Sequence, residues 1–401
     1  MAAFQPLTGA AVTSEPPLSA NGMVVLGLDI GGTQIRAAAI LSDGSRLGRS
    51  ALATPQEAGG WGESQIYAAC ERLLRDMLAQ LPAPVRGRVV AVGVSSVGPV
   101  DPWRGLVVDP PNVPALRDSP LADELEARLG LPTYLERDTN VAALAEHWLG
   151  AARGCGDFLY VTASTGLGGA IFREGRLLLG PDGTAGELGH LTLVLEDGPP
   201  CGCGGSGHLE GISSGSGLAR QAQRELASGT SGFLAERASR APLTGRDVAE
   251  GEDAGDAVCA ALMERARRAF AIACVGWVNT FNPDRIVVGG TLAERQGERW
   301  LAPARAAVES SALGVPGRRV RIVPAELGED VGLVGAWPLV VGRHWNPSWR
   351  AARRAPGPAP LSDGSAPPNA GGDYDVEAHQ GQTLEPGGFA VDHDQGGEKG
   401  R

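Results

Sequence analysis

The chain has 401 residues, 43% of them hydrophobic, which is enough for a large core shared between two domains. Its formal net charge of −11 argues against nucleic acid or an anionic membrane as the main partner. No apolar run reaches the ~20 residues that cross a bilayer, and the start of the chain lacks the basic region of a signal peptide. The six cysteines show no disulfide framework, which fits a reducing cytoplasm.

Residues 1–22 carry Glu15, Pro16 and Pro17 and read as a disordered leader. An apolar strand over 23–30 then runs into Gly31-Gly32. Strand character resumes over 33–40, and the Asp43-Gly44 turn leads to a third strand over 47–54, so the pattern is a meander. Apolar residues at helical spacing predict a helix over 64–81. Residues 88–100 read as a buried strand, 121–130 as a short helix closed by Gly130, and 131–136 as another strand. A helix opens at Asp138. A second hairpin block follows over 157–180, with the loop Thr165-Gly166-Leu167-Gly168-Gly169 at its first turn. A long helix over 258–282 leads into a strand, a glycine turn and a helix start over 284–294. Residues 351–401 are rich in Gly, Pro, Asp and Glu and nearly free of large apolar side chains, so a disordered acidic tail is expected.

The strand–strand–turn block occurs twice, near 23–56 and 157–180. That repeat predicts two related α/β domains flanking a cleft. The expected bounds are 23–137, joined by a C-terminal helix near 331–347, and 138–330.

Three glycine loops follow apolar strands, at Gly31-Gly32-Thr33, Thr165-Gly166 and Gly289-Gly290-Thr291. Glycine permits close backbone approach and positive φ, so successive N–H groups can cradle phosphate oxygens. None is a Walker loop, and none is a Gly-x-Gly-x-x-Gly turn entering a helix. Asp29 opens the first loop and suits hydrated Mg²⁺. A nucleoside triphosphate is the expected ligand.

Residues 185–210 are the most informative segment. His190, Cys201, Cys203 and His208 fall within nineteen residues, a donor set suited to tetrahedral Zn²⁺. Glu187 and Glu210 flank this loop and are placed to grip a polyol.

Taken together, LGLDIGGTQIRAA, PPNVP, LERDTNVAALAE, VTASTGLGGAI, TAGELGH, CGCGGSGHLEGISSGSGLA and NPDRIVVGGTL resemble the ROK family of sugar kinases, which includes bacterial glucokinases. The resemblance runs from about Val24 to Trp337. It implies an actin-like, ribonuclease-H-like fold, MgATP as donor and a hexose as acceptor, with glucose to glucose 6-phosphate first. Other acceptors are N-acetylmannosamine, N-acetylglucosamine, fructose and allose, and a non-catalytic sugar-binding relative is the remaining alternative. Asp138 matches the catalytic base, and Asn112, Glu187, His190 and Glu210 match sugar contacts. His190, Cys201 and Cys203 match zinc ligands. Gly31, Gly32, Thr33, Thr165 and Gly166 match phosphate-loop positions, with Gly289 and Gly290 on the adenosine side and Asp29 near the metal. The resemblance also implies a homodimer or homotetramer.

Two departures stand out. His208 replaces a third cysteine, which keeps a legitimate zinc ligand. Arg137 replaces the usual Asn before the catalytic Asp and is expected in the sugar site, where it leaves the acceptor in question. Asp138, at a helix start, is expected to keep a low pKa through the macrodipole. A repressor function would need a DNA-binding module ahead of the first strand, and none is expected in 1–22.

Overall fold

A computed structural model of the chain describes residues 22–54, 62–347 and 349. The expected leader, except Gly22, and the expected tail over 351–401 lie outside the described residues.

Two five-stranded sheets carry the architecture. In the first, the spatial order is Arg46–Ala53, Gln34–Leu41, Val24–Ile30, Val89–Ser96 and Thr133–Arg137. The first three strands form the expected antiparallel meander, and the last two join parallel to Val24–Ile30. The second sheet repeats this order with Arg176–Leu177, Leu167–Arg173, Phe158–Ala163, Arg285–Gly289 and Arg321–Pro324. Again a meander is extended by two parallel strands. Val24–Ile30 is buried along its whole length, and Phe158–Ala163 and Arg285–Gly289 are buried at all but one position each.

Helices cover the sheets. Glu63–Gln80 buries Ile66, Leu73, Leu74 and Met77 against the first sheet. Leu121–Leu129 ends at Gly130, whose φ of 69° is a left-handed cap that costs a glycine little. Ala257–Phe281 is the long helix, expected to be buried but buried along one face only, and capped by the Asp256 side chain on the Cys259 N–H at 2.9 Å.

The helix Ala336–His344 packs on Val24–Ile30 and Val89–Ser96. It approaches so closely that a Cβ at Gly93 would lie 2.7 Å from the Ala336 carbonyl oxygen. Glycine in a strand interior costs stability, and this contact is what it permits. The same helix reaches the strand that ends before Asp138. Arg343, 6% exposed, pairs with the fully buried Glu136 and donates to the Leu135 carbonyl at 2.8 Å.

Candidate active site

Asp138 is the first residue of the helix Asp138–Leu149, directly after the strand Thr133–Arg137. Its Oδ1 accepts the Thr139 N–H at 2.7 Å, and it makes no capping bond to the amides of the next turn. The carboxylate reaches solvent but stands in a recess crowded by protein. That desolvation raises its carboxyl to about 6; Arg137 pulls the other way, while Asp29 and Glu187 add to the rise. The low pKa expected from the helix dipole is thus corrected: burial is the largest influence, ahead of the lowering by Arg137 and by the Thr139 N–H.

The three glycine turns differ from one another. Gly31 and Gly32 form the tip between Val24–Ile30 and Gln34–Leu41, where the Gly31 N–H donates to the Gln34 carbonyl at 2.9 Å. Neither has positive φ. What glycine allows at Gly32 is approach, since a Cβ there would lie 3.1 Å from Asn112 Cβ. Asn112 thereby stands beside the first turn, and Thr33 and Asn112 are both exposed. Thr165 and Gly166 form the matching tip of the second sheet, also without positive φ at Gly166. Gly289 and Gly290 end the third strand block, and only here, among these positions, does the expected positive φ occur, 93° at Gly290. Ser164 Oγ and Thr291 Oγ1 lie 3.0 Å apart, so the second and third turns adjoin.

Asp29 is 6% exposed and fully engaged by the protein. Ser95 Oγ donates to Oδ1 at 2.8 Å, and the Arg36 guanidinium pairs with Oδ2. These partners leave little room for a direct bond to Mg²⁺. Arg36 escaped the sequence reading although a signal was present. Asp29 and Arg36 stand directly opposite in the antiparallel register, and opposite charges there attract. Ser164 also escaped it, as did its contact with Thr291 of the third glycine loop.

The 190–208 loop closes on itself through a bridge between Thr192 and His208 and through the Cys201 N–H on the Gly205 carbonyl at 2.8 Å. One ligand atom from each of His190, Cys201, Cys203 and His208 lies within 4.8 Å of the others. Cys201 Sγ is 3.7 Å from His190 Nδ1, and Cys203 Sγ is 3.3 Å from His208 Nδ1. Zn–S bonds of ~2.3 Å and Zn–N bonds of ~2.0 Å require ligand edges of roughly 3.3–3.8 Å, and these two Cys–His edges match that range. Burial pushes the Cys201 thiol up to about 12, so a thiolate there needs a cation to hold its charge.

The carboxylates sit around this loop. Glu187 Oε2 faces His190 Nε2 at 3.8 Å, on the side of the ring away from Cys201. Glu210 Oε2 accepts the Leu167 N–H at 3.0 Å, which ties the loop to the second glycine turn. Arg137, expected as a sugar contact, is only 4% exposed and spends its guanidinium on protein acceptors. That expectation is corrected, because both terminal nitrogens are taken by protein acceptors, while Nε is buried without a partner.

This doubled sheet with its metal-type loop matches known proteins over most of its length. A model of the ROK family matches residues 25–343. The chain belongs to the ROK family. It is 32% identical to a glucokinase of Halalkalibacterium halodurans, over 79% of this chain and 94% of that one. It is 34% identical to an N-acetylmannosamine kinase of Shigella flexneri, over 80% and 99%. Among solved structures it resembles a ROK family glucokinase from Streptomyces griseus in complex with glucose and AMPPNP, at 32% identity and a TM-score of 0.63, covering 79% of this chain and 98% of that one. The chain is accordingly a ROK sugar kinase with the actin-like ATPase fold. Among the described residues, no helix is long and apolar enough to cross a membrane.

Proposed function

We propose that this enzyme transfers the γ-phosphate of MgATP to a hexose hydroxyl, with glucose as the leading acceptor. One observation carries the reading: Asp138 presents a largely uncommitted carboxylate within electrostatic reach of both Asp29 and Glu187, with its carboxyl near 6. A group with that pKa is ionised at neutral pH yet basic enough to take a hydroxyl proton.

Phosphoryl transfer passes through a loose transition state, so catalysis is mostly positioning and charge stabilisation. In this reading Asp138 orients the sugar hydroxyl toward the terminal phosphorus and receives its proton as the O–P bond forms. Asn112, Glu187, His190 and Glu210 hold the other hydroxyls. Gly31, Gly32, Thr33, Thr165 and Gly166 approach the phosphates, and Gly289 and Gly290 the adenosine. Mg²⁺ arriving with the nucleotide supplies charge neutralisation at the phosphates. Asp29 fits an outer-sphere role there, since Ser95 and Arg36 already occupy its oxygens.

His190, Cys201, Cys203 and His208 would hold zinc, and four protein ligands leave no open position for chemistry. Its role is to fix the direction of the His190 ring and the place of Glu210. Residues 23–137 with the C-terminal helix, and residues 138–330, act as the two halves that shut water out around the substrates. We place the enzyme in the cytoplasm as a homodimer or homotetramer, following its family.

A coupled assay with MgATP and a panel of hexoses and N-acetylhexosamines tests the proposal. Highest kcat/KM on glucose supports it in full. Preference for N-acetylmannosamine, which the Shigella relative makes the second reading, keeps the kinase and changes the acceptor. No turnover of any sugar overturns it.

A further inference from the structure

Arg137 is the residue whose behaviour the family match does not supply. Its backbone N–H donates to Glu136 Oε1 at 2.8 Å at the end of its strand, and its side chain turns inward. One terminal nitrogen pairs with Glu187 Oε1. The other donates to the Gly169 and Ala185 carbonyls, at 2.9 Å each, and lies 3.5 Å from Asn140 Oδ1. A single planar fork thus ties three segments: the helix that begins at Asp138, the strand behind the second glycine turn, and the 185–190 turn that carries Glu187 and His190. Arginine cannot shed its charge, so a buried guanidinium needs a carboxylate, and Glu187 is the one paired with it. Glu187 keeps 38% of its side chain exposed, and its second oxygen faces His190.

We infer that Arg137 is a positioning residue that fixes Glu187, and with it the acceptor side of the site, to the phosphate side through one buried guanidinium. This rests on the sugar-kinase reading for the identity of the ligand, not for the contact itself. The consequence for specificity is concrete. One Glu187 oxygen is engaged by Arg137, so the other, on the His190 side, is the one more open to a sugar hydroxyl.

The test uses Arg137→Asn, Arg137→Lys, Glu187→Ala and the double variant Arg137→Asn with Glu187→Ala. Displacing a substrate-orienting group by about 1 Å costs on the order of 10²-fold, so Arg137→Asn should raise the sugar KM at least tenfold. The KM for ATP should stay within about twofold, which a general loss of structure would not allow. Lysine keeps the charge but cannot make the fork, so Arg137→Lys should also raise the sugar KM. It carries the same readouts if Arg137→Asn does not fold. In the Glu187→Ala background, Arg137→Asn should add less than about twofold. Sugar and ATP KM rising together, or an equal rise in both backgrounds, overturns the inference. If the wild-type protein phosphorylates no sugar, the kinase reading fails separately. Amide exchange over residues 185–190 then decides: faster exchange in Arg137→Asn supports the tether, and unchanged exchange refutes it.

Discussion

Glu210 accepts a hydrogen bond from the Cys201 thiol at 3.3 Å through Oε1 while its Oε2 holds the Leu167 N–H. One carboxylate therefore joins the cysteine–histidine loop to the strand behind the second glycine turn. Whatever orders that loop also orders the acceptor side of the site.

Zinc is the candidate for ordering the loop; it would take Cys201 as thiolate, replacing the thiol hydrogen bond and leaving Glu210 held by the Leu167 N–H. Elemental analysis of the protein as isolated should show about one zinc per chain, because four protein ligands make a closed site. Chelation, or Cys201→Ser with Cys203→Ser, should raise the sugar KM and lower the thermal midpoint while leaving the ATP KM little changed. Protein without zinc and with full activity would remove the metal from the account.

Acidity should follow Asp138. With its carboxyl raised to about 6, the base is ionised above that pH and protonated below it. The logarithm of kcat/KM for the sugar should therefore fall with a slope near one as pH drops below about 6 and level off above it. An acid limb centred near pH 4, the range of an ordinary aspartate, would mean that the recess does not desolvate the group in solution.

The close passage of the C-terminal helix over the first sheet has a stability signature. Gly93→Ala places a methyl 2.7 Å from the Ala336 carbonyl oxygen and 2.8 Å from its Cβ. Overpacking of this kind typically costs about 1–3 kcal/mol, which urea denaturation would register as a lower midpoint. An unchanged midpoint would show that the helix gives way at no cost.

Much of the architecture was legible because period-two and 3.6-residue patterns are local. The meander around Asp29, the second one around Thr165 and the long helix all follow from apolar spacing and turn residues. The four metal-type ligands were legible for the same reason, since all lie within nineteen residues. Direction and environment were not. Nothing in the sequence says that Arg137 is buried on protein acceptors, because that depends on carbonyls at Gly169 and Ala185, far along the chain. The raised Asp138 carboxyl was not legible because Asp29 and Glu187, which add to the rise, are distant in the chain, whereas the helix dipole is local. The Ser164–Thr291 contact joins a hairpin turn to a strand-to-helix turn 127 positions away and has no local signature.

The central claim is that Asp138 takes the proton of the acceptor hydroxyl. Asp138→Asn keeps the shape of the side chain and the helix start but cannot accept that proton. Measured on the best hexose of the panel, its kcat should fall ~10²–10⁴-fold, while sugar affinity by direct titration stays close to wild type. Turnover within a few fold of wild type would contradict the account.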